Sequence, residues 1–171
     1  MKLFSIFALV KNIPKSSWSS KKALNFKPKI KTLLFLIFGL FLFGLGETLL
    51  LASGVGVSPW TVLAEGISIY SSYSVGWSTF WMSLSVLLLW IPLKQKPGIG
   101  TILNAIIIAL VLDYTLPYLP NPENYVFKVL QIIIGVIITG LGSGFYLIAN
   151  LGPGPRDGLM TGRSEEHTSE L

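Results

Sequence analysis

The chain is 171 residues long, 51% hydrophobic and only 12% charged, with a mean hydropathy of +0.66. Soluble domains carry about 25% charged residues, so this composition excludes a fold solvated by water alone. The formal net charge is +5, but eight of the thirteen Lys and Arg residues precede Thr32, a clustering that points to a membrane surface and away from nucleic acid.

Residues 1–31 form a basic cytoplasmic flank with Lys2, Lys11, Lys15, Lys21, Lys22, Lys27, Lys29 and Lys31 and no acid. Its apolar run, residues 3–10, lacks a small-residue cleavage site, which argues against a signal peptide. Disorder is expected there, with an interfacial helix as the alternative. Four segments then approach the ~20 apolar residues that a helix needs to cross a hydrocarbon core of about 30 Å: about 32–52, 75–93, 100–118 and 126–150. Between the first two, PWTVLAEGISIYSS at 59–72 is half apolar and opens with a proline suited to the first helical position. It reads as a short interfacial or re-entrant helix, or as an extension of the second span. The expected fold is all-α, a polytopic transmembrane bundle over residues 32–162 with about four spans.

Lys and Arg in short loops set orientation, because positive loops stay inside. The basic flank places the N-terminus in the cytoplasm. Lys94 and Lys96 follow the second span and Arg156 follows the fourth, whereas the loops after the first and third spans carry no basic residue. Every loop agrees with one topology, that of a multi-pass inner-membrane protein. Trp60, Trp77, Trp81 and Trp90 lie near the expected interfaces or in the second span, where such rings anchor.

The sequence also matches itself without gaps at an offset of 96 residues. Gly39, Gly44, Gly46, Gly56, Pro59 and Gly66 fall on Gly135, Gly140, Gly142, Gly152, Pro155 and Gly162. One unit holds three spans, an odd number, so the second copy enters the membrane inverted. Inverted repeats of this kind are common in secondary transporters. Glycines in the spans let helices approach closely, and each Gly-Pro segment breaks and restarts a helix. The same segments also read as plain turns followed by a helix start.

Glu47 and Asp113 are the carboxylates expected inside spans, and intramembrane acids mark functional positions by default. Each is a candidate for a substrate or ion pathway; each also reads as an acid reaching interfacial water. Asn104, Gln131, Thr139, Ser143 and Asn150 are expected to join helices by hydrogen bonds. Arg156 and Asp157 read as a local pair at a helix start, or as a topogenic positive charge. No catalytic grouping, metal site or cofactor site is expected. Cysteine is absent and His167 is the one histidine. Gly152, Gly154 and Gly158 have no Lys-Ser or Lys-Thr after them, as a phosphate loop requires.

With GVSPWTVLAEG in its first half and NLGPGPRDGLMTG in its second, the chain from about residue 31 to 162 resembles the YczE/YitT-type family of bacterial membrane proteins. The resemblance implies an inner-membrane protein of five or six spans and supplies no catalytic residues. RSEEHTSEL at 163–171 looks like a translated sequencing adapter, so the natural chain is expected to continue past Gly162 with further spans. The expected activity is transporter-like, not enzymatic, with an accessory membrane protein as the alternative. The expected partners are the lipid bilayer and either another membrane protein or a second copy.

Overall fold

Apolar runs become helices here, and the residues at their ends explain where each stops. The computed structural model describes residues 16–93 and 95–160. The run 3–10, Lys94, Gly162, His167 and the segment 163–171 lie outside the described residues. Helix α1 spans Ile30–Ser53 and ends where Gly54 turns left-handed at φ 65° and donates its N–H to the Leu51 carbonyl. Helix α2, Pro59–Ser71, starts with Pro59 behind the N-cap Ser58, whose hydroxyl accepts the Thr61 N–H. Helix α3, Val75–Leu89, is capped in the same way by Ser74 on the Trp77 N–H. Helix α4, Ile99–Thr115, tightens into a 3-10 turn over Leu116–Tyr118. Helix α5, Tyr125–Ala149, starts behind Asn124 and ends at the left-handed Asn150. After a short loop, residues 155–160 are helical again.

Among the described residues, three segments are long and apolar enough to cross a membrane: Ile30–Ser53, Ile99–Tyr118 and Tyr125–Ala149. Helix α3 has 15 residues, about 22 Å at 1.5 Å per residue, which is short of a hydrocarbon core. Large apolar side chains such as Phe38, Leu88, Ile134 and Ile137 face outward, as lipid contact requires. These long apolar helices imply a bilayer context and a multi-pass arrangement.

Close packing starts at glycines. Gly39 and Gly46 of α1 lie against Gly142 and Gly135 of α5, so the two helices run antiparallel with their backbones nearly touching. On another side of α1, Gly44 meets Val111 of α4 and the Thr115 hydroxyl donates to Thr48 Oγ1 at 3.1 Å, so those two helices run parallel. Gly76 of α3 packs on Ala109 and Asp113 of α4, and α2 packs on α3. The buried core gathers Leu36, Leu40, Phe43, Ile108, Leu112 and Tyr146 between α1, α4 and α5.

Composition gave no signal for what residues 16–29 do. They are non-helical and docked. The Ser20 N–H donates to the Ala149 carbonyl at 3.0 Å, and Asn150 Nδ2 donates to the Ser20 carbonyl at 2.9 Å. The Trp18 ring stacks on Phe35 at 4.5 Å, and the Thr32 hydroxyl bonds the Trp18 carbonyl at 2.5 Å. The strap thus joins the start of α1 to the end of α5.

Candidate functional site

Both Gly-Pro segments fold back along the helix that precedes them. Ser58, at the start of α2, donates its hydroxyl to Glu47 Oε2 at 3.0 Å, and Thr61 does the same at 2.6 Å. Glu47 lies six residues before the end of α1 at Ser53, roughly 9 Å back along the axis. Residues 54–58 therefore return alongside α1 before α2 begins. After α5 the chain does the equivalent: Asp157 accepts from the Tyr146 hydroxyl, and Tyr146 lies within the last turn of α5.

The second arm is seated on α3 and α4. The Gly100 N–H, in the first turn of α4, donates to the Leu151 carbonyl at 2.8 Å, and the Thr101 hydroxyl donates to the Pro153 carbonyl at 2.7 Å. Gly152, at φ 110°, sits against Thr101 with a backbone that L side chains rarely adopt. Trp90, 1% exposed, donates its Nε1–H to the Pro155 carbonyl at 3.1 Å and covers Gly158 with its ring. This residue, expected as an interfacial anchor, is instead an internal clamp. Among residues within contact range, an indole with a backbone carbonyl to satisfy it is better buried.

A polar cavity lies between the arms. Its wall takes Phe43 and Glu47 from α1, Ser58, Trp60 and Thr61 from the first arm, and Thr79 and Ser83 from α3. Asn104, Ile108 and Leu112 of α4, Tyr146 of α5 and Gly154 to Asp157 of the second arm complete it. Much of the lining comes from the middle of α1, α3 and α4. The cavity volume is about 40 Å³, room for about three waters.

The wall is chemically uneven. Glu47 is 5% exposed and its hydrogen bonds both fall on Oε2. Asn104 and Ser83, 8% and 4% exposed, have side chains with no hydrogen-bond partner among the described residues. Buried polar groups are satisfied by protein, water or ligand, so these two are directed at whatever fills the cavity. Arg156 Nε lies 3.5 Å from Asp157 Oδ1. Asp157 stands beyond the end of α5, outside the spanning helices. Burial pushes its carboxyl above the usual carboxylate range, and the Gly154 backbone hydrogen bond pulls the other way.

The residues singled out from sequence separate in space. Glu47, Pro155, Arg156 and Asp157 line the cavity, and Pro59 starts the helix whose N-cap reaches Glu47. Asp113 is not in that wall. It accepts from the Ser74 hydroxyl at 2.7 Å and from the Gly76 N–H at 2.8 Å, holding the start of α3 to α4. Gly56 and Gly66 face open space, and Gly162 lies outside the described residues. Of the polar residues expected to join helices, Gln131 bonds the Leu49 carbonyl at 3.1 Å, while Thr139 Oγ1 is buried with no hydrogen-bond partner among the described residues. Ser83 and Tyr146 are cavity residues that sequence reasoning did not single out, and Asn104, expected to join helices by a hydrogen bond, instead lines the cavity with no such bond among the described residues. The available signal was a lone amide within the apolar run of α4.

Comparison with known proteins follows the same extent of chain. An "Uncharacterized protein" of Haemophilus influenzae is 42% identical over 153 residues, covering 90% of this chain and 69% of its own length. The "Uncharacterized membrane protein YczE" of Bacillus subtilis is 32% identical over 124 residues, and the "Uncharacterized protein YyaS" of the same organism 30% over 128. Each covers 71% of this chain, which spans 58% and 62% of their respective lengths. No solved structure matches. The model of the family of unknown function DUF6198 matches residues 30–169, taking in all five helices and both arms of the cavity, and the chain belongs to that family.

Proposed function

We propose that this chain is a transporter-like inner-membrane protein, with its N-terminus in the cytoplasm, in which a small polar solute crosses unchanged through the cavity between the two arms. The observation that carries the reading is the cavity's composition: both Gly-Pro arms bring polar side chains, Ser58 and Thr61 from one and Arg156 and Asp157 from the other, to one cavity within an apolar bundle. Polar groups at that depth are costly and accompany solute or ion pathways.

An inverted repeat supports the same reading. Gly39 and Gly46 are the equivalents of Gly135 and Gly142 at the 96-residue offset. The contacts pair Gly39 with Gly142 and Gly46 with Gly135. Exchanging the copies turns one pair into the other, as a two-fold axis in the membrane plane requires. Thr61 and Asp157 are also equivalent in that register, and each bonds a side chain on the helix before its own arm. The lysine-rich flank at the start of α1 favours a cytoplasmic N-terminus.

The test is protein-dependent uptake from a defined mixture of polar metabolites into proteoliposomes, read by mass spectrometry. The reading expects at least one solute to accumulate above empty liposomes and to lose that accumulation in Asn104→Leu. Uptake equal to empty liposomes for the whole mixture opposes it.

A second reading, an accessory protein, has its own observation. Gly140 and Gly144 on α5 have nothing within 4 Å. Gly140 is the equivalent of Gly44, on which α4 packs, so this face fits a further membrane helix. Co-purification of one stoichiometric membrane protein, lost in Gly140→Leu, supports it.

A further inference from the structure

Resting on the transporter-like reading of the cavity, we infer that Glu47 is the anionic ligand of a monovalent metal cation of about sodium size, bound with Asn104 and Ser83. Charge comes first. Of the charged groups in the cavity wall, Arg156 and Asp157 lie beside each other at 3.5 Å, whereas among the described residues Glu47 is hydrogen-bonded by the hydroxyls of Ser58 and Thr61 alone. Among the described residues Glu47 thus has no ion-pair partner, an arrangement that is costly unless something positive joins it.

Donor chemistry comes second. The two hydroxyls hold Oε2, and Oε1 has no hydrogen bond to the described residues. Asn104 and Ser83, both more than nine-tenths buried, bring into the same space an amide and a hydroxyl with no hydrogen-bond partner among the described residues. A carboxylate oxygen, an amide oxygen and a hydroxyl form a hard oxygen set, which suits a hard cation. A single uncompensated negative charge matches one positive charge. Size comes third: about 40 Å³ holds an ion with a water or two. Unpaired oxygen ligands near the middle of a bundle are where transporters hold coupling ions.

The experiment titrates the purified full chain with NaCl, replacing N-methyl-D-glucamine chloride at constant ionic strength. The thermal unfolding midpoint and intrinsic tryptophan fluorescence, to which Trp60 of the cavity wall contributes, are the readouts. The expected result is a saturable response to Na+ that is absent in Glu47→Gln and at least about tenfold weaker in Thr61→Val, which frees the carboxylate from its orienting hydroxyl. Asn104→Ala weakens it as well. Should Glu47→Gln fail to fold, the Thr61 and Asn104 variants decide, because unchanged affinity in both overturns the assignment. A wild-type response equal for Na+ and N-methyl-D-glucamine also overturns it. If Na+ proves inert while polar-solute uptake by proteoliposomes persists, the cation site fails and the transporter reading stands; loss of uptake with Na+ binding intact reverses that outcome.

Discussion

Gly39 on α1 and Gly142 on α5 face each other so closely that a Cβ built on Gly39 falls 3.0 Å from the Gly142 carbonyl oxygen, and one built on Gly142 falls 2.7 Å from that of Gly39. Backbone atoms cannot move aside as a flexible side chain can. Gly39→Ala is therefore expected to force α1 and α5 apart, at a cost of about 1–3 kcal/mol. Gly140→Ala is the control, because that position opens on nothing within 4 Å and alanine is the better helix former by up to about 1 kcal/mol. Unfolding in mixed micelles should show the first variant less stable than wild type and the second equal or more stable.

The Trp90 clamp has two separable parts, one polar and one steric. Trp90→Phe keeps most of the ring but removes the donor to Pro155, which is expected to cost about 0.5–1.5 kcal/mol. Gly158→Ala puts a methyl group into the indole ring and is expected to displace the second arm. Hydrogen exchange over residues 150–158 should rise modestly in the first variant and strongly in the second.

Asp113 holds two donors at the start of α3, the Ser74 hydroxyl and the Gly76 N–H. Asp113→Ala leaves both without their acceptor, an expected loss of about 1–3 kcal/mol. Asp113→Asn retains an oxygen for Gly76 and should lose less than half as much. Equal loss in the two variants would contradict a capping role.

Asn150 combines a left-handed backbone at φ 51° with an amide that bonds the Ser20 carbonyl. Asn150→Gly keeps the turn and loses only the bond, whereas Asn150→Ala loses both. The alanine variant is expected to be less stable by a further ~1 kcal/mol. In both, proteolysis within residues 16–29 should quicken as the strap loosens.

How legible these features were in the sequence depends on whether the cause was local. Glycines at helical spacing in apolar runs announced close packing, and the segments around Gly56, Pro59 and Gly152 announced breaks, because backbone permissiveness is written residue by residue. Glu47 and Asp113 looked alike, each an acid within an apolar segment. Their difference arises from what lies opposite: a returning loop in one case, the start of α3 in the other. Asn104 and Gln131 were equally alike as buried amides, yet Gln131 meets a carbonyl of α1 while Asn104 meets the cavity. The strap over residues 16–29 left no periodic trace, since it is anchored by backbone groups and one ring.

The central claim is that the cavity between the arms is a path reachable from both sides of the membrane. The chain has no cysteine, so a single Ser83→Cys reports on the cavity alone. Its reaction with a membrane-impermeant thiol reagent is measured in sealed right-side-out and inverted vesicles. Modification from both faces, slowed in each by the solute that the protein takes up, is the result expected of a transporter. A thiol that stays unmodified from both faces, in protein shown to be folded, would contradict it.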